Sequence, residues 1–282
     1  MKTILCPVDF SANSESAVRY AAELSKKLKA KIIMLNSFET PVLYSDPAFL
    51  SVQYDYNFIH DTARKKLKAF HKKIFGEKGG RNVEMVLQQG LASSRVCEIA
   101  LEKKADLIVM GVTGTHAGER MIMGSNASRV IKDAPCMVML VPRKAKFDGL
   151  KKIVYATDLS PDNLIHAMEI IPLAKKFNSE ILFLHVERGA VSRNEEALKK
   201  VTDHIKKHIR YTKKSGYLCT DDSVAGGIDY FLKHQKADCL AVYKRHRNIL
   251  QEIYKPSVSR KVSLHVSIPL LVIHEKDFRS EV

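Results

Sequence analysis

The chain has no tryptophan among its 282 residues and only five cysteines, and nowhere does it run to the roughly 20 apolar residues of a membrane span. Cys6, Cys97, Cys136, Cys219 and Cys239 are odd in number, scattered and without a C-x-x-C pair, which excludes zinc or dithiol chemistry of the usual spacing. Free, mostly buried thiols in a reducing cytoplasm are the expectation. The opening Met1-Lys2-Thr3-Ile4-Leu5-Cys6-Pro7 turns polar by Asp9, short of the apolar region of a secretion signal. Catalytic signatures are missing too: no Gly-Lys-Ser/Thr loop, no G-x-G-x-x-G after the first strand, no G-x-S-x-G elbow and no H-E-x-x-H helix.

Acidic residues are the last shortage. Forty-six Lys and Arg against 31 Asp and Glu leave a formal charge of +15, which would suit nucleic acid or an anionic surface if gathered in one place. It is spread over both halves. Lys65, Lys66, Lys68, Lys72 and Lys73 in one half, and Lys199, Lys200, Lys206, Lys207, Lys213 and Lys214 in the other, fall opposite apolar helical stripes, as solvated faces do. With no interleaved aromatics and no recognition-helix pattern, neither nucleic acid nor membrane is expected as a partner.

What is present suffices for a packed core: 45% hydrophobic and 27% charged residues. At about 150 residues per domain the length suggests two domains, and the sequence repeats. Thr3 to Ser11 (TILCPVDFS) lies over Lys152 to Ser160 (KIVYATDLS), each an apolar run ending in Asp-x-Ser. Lys31 to Asn36 answers Glu180 to His185, Ala105 to Met110 answers Ala237 to Val242, and Pro135 to Val141 answers Pro269 to Ile273. Four landmarks in one order mean a tandem duplication, with units over 1–145 and 150–277 and a shorter second copy lacking the counterpart of the loop 41–49.

Within a copy the apolar runs are short, continuous and β-branched, as parallel strands covered on both faces require. Helical patterns alternate with them: Ser14 to Lys29 capped by Ser11 or Asn13, Ile59 to Ile74, Ser93 to Lys104, and a helix beginning near Ser125. The fold class is therefore α/β, with two tandem doubly wound five-stranded parallel sheets and helices on both faces. Ligands of such sheets bind at the carboxyl ends of strands where the order reverses.

The fourth strand runs into Gly111, Gly114 and, nine residues later, Gly124-Ser125-Asn126 opening a helix. Glycine admits close backbone approach and positive φ, and a helix N-terminus attracts anions, so the stretch reads as a phosphate cradle. Asp9, at the end of strand one, reads either as a turn former and helix cap or as an acceptor for sugar hydroxyls. His116 in the glycine loop could approach a phosphate or simply face solvent.

This G-2x-G-9x-G-S pattern, with Asp9 closing strand one, resembles the universal stress protein family, and the likeness covers both copies. It implies five parallel strands in the order 3-2-1-4-5 and, for the subgroup with these glycines, bound ATP, with or without magnesium. By resemblance Pro7 and Val8 would line the base, Asp9 would meet adenine or ribose, and Ser37, after strand two, would offer backbone to adenine. Gly111, Gly114, Gly124, Ser125 and Asn126 would hold ribose and phosphates. In the second copy Tyr243, His246 and Pro256 replace the glycines, although Asp158 and Ser257 match, so ATP binding is expected in the first copy alone. The basic run Lys244 to Arg247 would be a solvated loop or hold another anion. Relatives commonly pair through strand five, here Cys136 to Val141 and Leu270 to Ile273, which implies a pseudo-dimer of the two copies and leaves a homodimer open. A regulatory stress-response role follows from the resemblance; a nucleotide-independent scaffold or a slow ATPase are the alternatives.

Overall fold

A computed structural model describes residues 1–39, 56–77, 79–80, 82–114, 121–122, 124–189, 195–244 and 268–274. The loop 41–49, His116, Arg245, His246, Arg247, Pro256 and Ser257 lie outside them. The first half runs β1 (Thr3–Pro7), α1 (Ala12–Leu28), β2 (Lys31–Phe38), α2 (Tyr56–Phe75), β3 (Val83–Gln89), α3 (Ala92–Glu102), β4 (Leu107–Gly114), β5 (Met121–Ile122), α4 (Ser125–Asp133) and β6 (Met137–Pro142). The second runs β7 (Lys152–Ala156), α5 (Pro161–Ala167), a 3-10 turn (Met168–Ile170), α6 (Ile171–Phe177), β8 (Glu180–Arg188), α7 (Glu195–His208), β9 (Lys214–Asp221), α8 (Val224–Gln235), β10 (Cys239–Tyr243) and β11 (Leu270–Ile273).

Each half carries the expected order, β3-β2-β1-β4-β6 and β9-β8-β7-β10-β11, with parallel pairing inside each. The two sheets are continuous with one another. β6 pairs antiparallel with β11, Leu140 opposite Leu270, Met139 opposite Leu271 and Val138 opposite Val272. Strand alternation sends Met137, Met139, Val141, Leu271 and Ile273 to one face and Val138, Leu140, Leu270 and Val272 to the other. The helices α1, α2 and α5 to α7 bury the first face and α3, α4 and α8 the second, so the central strands are covered on both faces and apolar nearly throughout, while the half-buried outer strands β3 and β9 carry polar residues.

The duplication reaches individual hydrogen bonds. The Val8 N–H donates to the Leu35 carbonyl (2.8 Å) as the Thr157 N–H does to that of Leu184 (2.9 Å). Asp106 Oδ2 accepts from the Thr3 N–H (3.1 Å) and Asp238 Oδ2 from the Lys152 N–H (2.8 Å), tying strand four to strand one in both halves. The halves differ in their first helix. α1 is continuous over 17 residues, whereas its counterpart breaks into α5, the 3-10 turn and α6, with Pro172 beginning α6. Proline has no N–H for the helix ladder and its ring meets the preceding turn, which accounts for the break.

Candidate functional site

The first helix leaves β1 for one face and the fourth strand lies on the other side, so β1 and β4 part at their carboxyl ends. A cavity of about 430 Å³ opens there, inside the size range of small-ligand sites. Eight of the nine residues singled out in the sequence lie on its wall: Pro7, Val8, Asp9, Ser37, Gly111, Gly124, Ser125 and Asn126. Gly114 sits farther along β4, opposite Met121 of β5.

Three helix N-termini meet at this wall. α1 contributes Asn13 and Ser14, α3 Ala92 and Ser93, and α4 Ser125 and Asn126. Ser11 caps α1, its hydroxyl accepting from the Ser14 N–H (3.2 Å). α3 begins after Leu91 and α4 after Gly124, neither with a side-chain cap and neither with an acidic residue in its first turn. Their first N–H groups and the positive ends of their dipoles are left to whatever enters the cavity, and an anion suits them best.

The wall also has an apolar part, made by Val8, Leu35, Val96, Met110, Val112 and Val130. Ser37 lies within β2 rather than after it, opposite Gln88 of β3. Because the Leu35 carbonyl faces β1, where it accepts from Val8, strand alternation turns the N–H and C=O of Ser37 the same way, beyond the last residue of β1. Asn36 between them is buried and donates Nδ2–H to the Val8 carbonyl (2.7 Å), fixing that peptide at the cavity edge.

Asp9 serves the turn as well as the wall. Its Oδ1 accepts from the Ser11 N–H (3.0 Å) and hydroxyl (2.6 Å). Partial desolvation pushes its carboxyl up, but the hydrogen bonds from Ser11 and Ser14 outweigh this and hold it below the usual carboxylate range, charged at neutral pH. Asp158 makes the same bond to the Ser160 N–H (2.9 Å), and the residues between, Phe10 and Leu159, share a left-handed φ of 65° and 64°. The Asp-x-Ser turn thus caps a helix in both halves, whatever Asp9 does for a ligand.

The two glycines on the wall are there for different reasons. A Cβ on Gly111 would lie 2.2 Å from the Asn13 carbonyl oxygen, so glycine at this place lets α1 close onto β4. A Cβ on Gly124 would have nothing within 4 Å among the described residues, and its φ of −67° suits any residue. Neither the backbone nor the described neighbours ask for glycine at Gly124.

In the second half Tyr243 takes the position of Gly111. Its buried ring stacks on His166 of α5, centroids 4.2 Å apart and planes at 15°. A side chain at that position would meet α1 in the first half; in the second half it packs on α5, which ends at Ala167. Sequence reading passed over Ser93 and the α3 N-terminus because Leu91 is no cap signal; the position of that helix after strand three, at the carboxyl edge, was the available clue.

Among the described residues no helix is long and apolar enough to cross a membrane, and no group of three or more His, Cys, Asp or Glu side chains could hold a metal. The family model described as universal stress protein matches residues 1–142 and again 149–274. A universal stress protein of Methanocaldococcus jannaschii is 32% identical over 145 residues, 51% of this chain and 84% of that one. One from Synechocystis is 30% identical over 141 residues, 50% of this chain and 85% of its own length. The crystal structure of a universal stress protein from Archaeoglobus fulgidus matches in fold over 96% of this chain and 98% of that one, with a TM-score of 0.71 at 17% identity. Matched twice in one chain and alike in fold over both halves, the protein belongs to the universal stress protein family as a tandem member.

Proposed function

We propose that the first half binds one adenine nucleotide, ATP, and that the protein is a cytoplasmic regulator in the stress response rather than an enzyme. The observation that carries this is Gly124: a glycine that its backbone and its described neighbours do not require, at an uncapped helix N-terminus, inside a cavity whose wall is partly apolar. Room there and free N–H donors fit a phosphate chain; Val8, Leu35 and Met110, beside Pro7, fit a base. Ser37 offers its backbone to the adenine edge, Asp9 accepts from ribose hydroxyls, and Ser125 and Asn126 donate to phosphate. Gly114 belongs to the phosphate end on glycine spacing alone. ATP supplies charge for recognition here; magnesium would take its ligands from the phosphates and water.

The chain divides in this reading into a binding unit, 1–145, and a unit, 150–277, in which Tyr243 occupies a glycine position and ATP is not bound. With β6 and β11 joined inside the chain, a homodimer would use another surface. The test is to denature freshly purified protein, analyse the released small molecules, and titrate ATP into the emptied chain by calorimetry. One nucleotide per chain, lost in Gly124→Val, is expected. No nucleotide and no heat would leave a nucleotide-independent scaffold as the function, two per chain would restore the second half as a site, and phosphate release above the Gly124→Val background would make the protein a slow ATPase.

A further inference from the structure

The last carbonyls of an α-helix find no partner within it. In α4 two of them are taken by the second half of the molecule. His274, directly after β11, donates Nε2–H to the Ile131 carbonyl (2.6 Å), and the Lys244 ammonium, directly after β10, donates to the Lys132 carbonyl. The antiparallel seam brings them there, because the carboxyl ends of β10 and β11 lie beside the amino end of β6, where α4 finishes. A cation at this place also meets the negative end of the helix dipole. Asp133 and Glu98 are the acidic groups nearby, both acting on the same Cys97 thiol as Lys244.

The grip runs one way. By the duplicated register Lys244 stands where the first half has Val112, and His274 where it has Pro142. Neither side chain can donate a hydrogen bond. Val112 lies on the wall of the first cavity, so the rim at which the first half would meet its ligand has become, in the second half, a hold on the helix that carries Gly124, Ser125 and Asn126. His274 is buried and its Ile131 bond fixes Nε2 as the protonated nitrogen; burial lowers its proton affinity, so it acts as a neutral donor.

We propose that Lys244 and His274 are positioning residues for the nucleotide site: by fixing the C-terminal turn of α4 they set where its N-terminal cradle stands, about 13 Å away along nine residues. The role rests on the proposed nucleotide reading and gives the second half a task that needs no ligand of its own.

The test titrates the full chain with ATP and, separately, with adenosine, which lacks the phosphates that α4 would hold. In Lys244→Met, and in the double variant Lys244→Met/His274→Leu, ATP affinity should fall by about tenfold, about 1.4 kcal/mol, while adenosine affinity stays within about twofold. Lys244→Arg, which keeps the charge and donors, should restore ATP binding, and amide exchange in α4 without nucleotide should quicken in Lys244→Met and in the double variant but not in Lys244→Arg. Equal weakening toward both ligands would mean general loosening and overturn the proposal, as would unchanged ATP affinity. Should the double variant fail to fold, Lys244→Met carries the comparison. A wild-type chain that binds neither ligand, indistinguishable from Gly124→Val, would instead overturn the nucleotide reading itself and this role with it.

Discussion

At Gly124 the fold and the proposed ligand ask for different residues, and Gly124→Asp separates them. The backbone there, φ −67° and ψ 165°, is that of an N-cap, and the space around the absent Cβ is open. An aspartate would accept from the N–H of Asn126 or Ala127 and place a negative charge at the positive end of α4. Relative to glycine the cap contributes a few tenths of a kcal/mol and the dipole roughly 0.3–1, for a total of about 1 kcal/mol. In a chain of this size that raises Tm by about 2–4 °C. The same carboxylate consumes the donors meant for phosphate and repels it; two unit charges about 4 Å apart near a protein surface cost about 4 kcal/mol. ATP affinity should drop at least roughly 100-fold. Circular dichroism melts in nucleotide-free buffer and calorimetric titration read the two effects. A lower Tm would show that the N-terminus of α4 is not as described, and ATP binding within about threefold of wild type would refute phosphate at this helix.

Gly111→Ala should do the reverse, because its Cβ would press on the Asn13 carbonyl 2.2 Å away; overpacking of this kind costs about 1–3 kcal/mol, and a melt unchanged from wild type would remove the packing reason for this glycine. Lys29 and Lys236 close α1 and α8 with left-handed φ of 54° and 51°, so Lys29→Gly or Lys236→Gly should stabilise by roughly 1 kcal/mol in urea titration; a loss would contradict the strain. Burial holds the His274 imidazole at about 4 against an ordinary 6.5. The stability this brings is complete above pH 6.5 and is lost as pH falls toward 4, up to about 3 kcal/mol. Burial also lowers the proton affinity of His71, so the comparison is with His274→Gln, whose stability should fall less steeply between pH 6.5 and 4; parallel curves would show that His274 is not buried neutral.

The duplication, the strand order and the start of α4 were legible because strands covered on both faces must be apolar throughout, and because glycine and serine punctuate helices by known rules. Ser11 as the cap of α1 was one of two residues the pattern offered, and the structure uses it. β4 extends past Met110 to Gly114, where glycines read as a turn; Gly111 stays in the strand because Asn13 packs against it, a contact absent from any local pattern. Pro172 sits among helix formers that align with α1, and its missing N–H and its ring break the helix there although the surrounding pattern reads as continuous. The join of the two sheets turns on two short apolar strands meeting edge to edge, and their sequences alone, equally suited to any apolar neighbour, name no partner.

That join has a bearing on concentration. Two separate single-copy chains pairing through strand five would do so by mass action and come apart on dilution. Here residues 143–151 link the first half to the second, each carrying one of the paired strands, and a short tether between them holds an internal partner at an effective concentration on the order of millimolar, however scarce the protein becomes. The hold of Lys244 and His274 on α4 is therefore as constant at a few copies per cell as at thousands, and under the proposed function what the cell can vary is the nucleotide rather than the pairing.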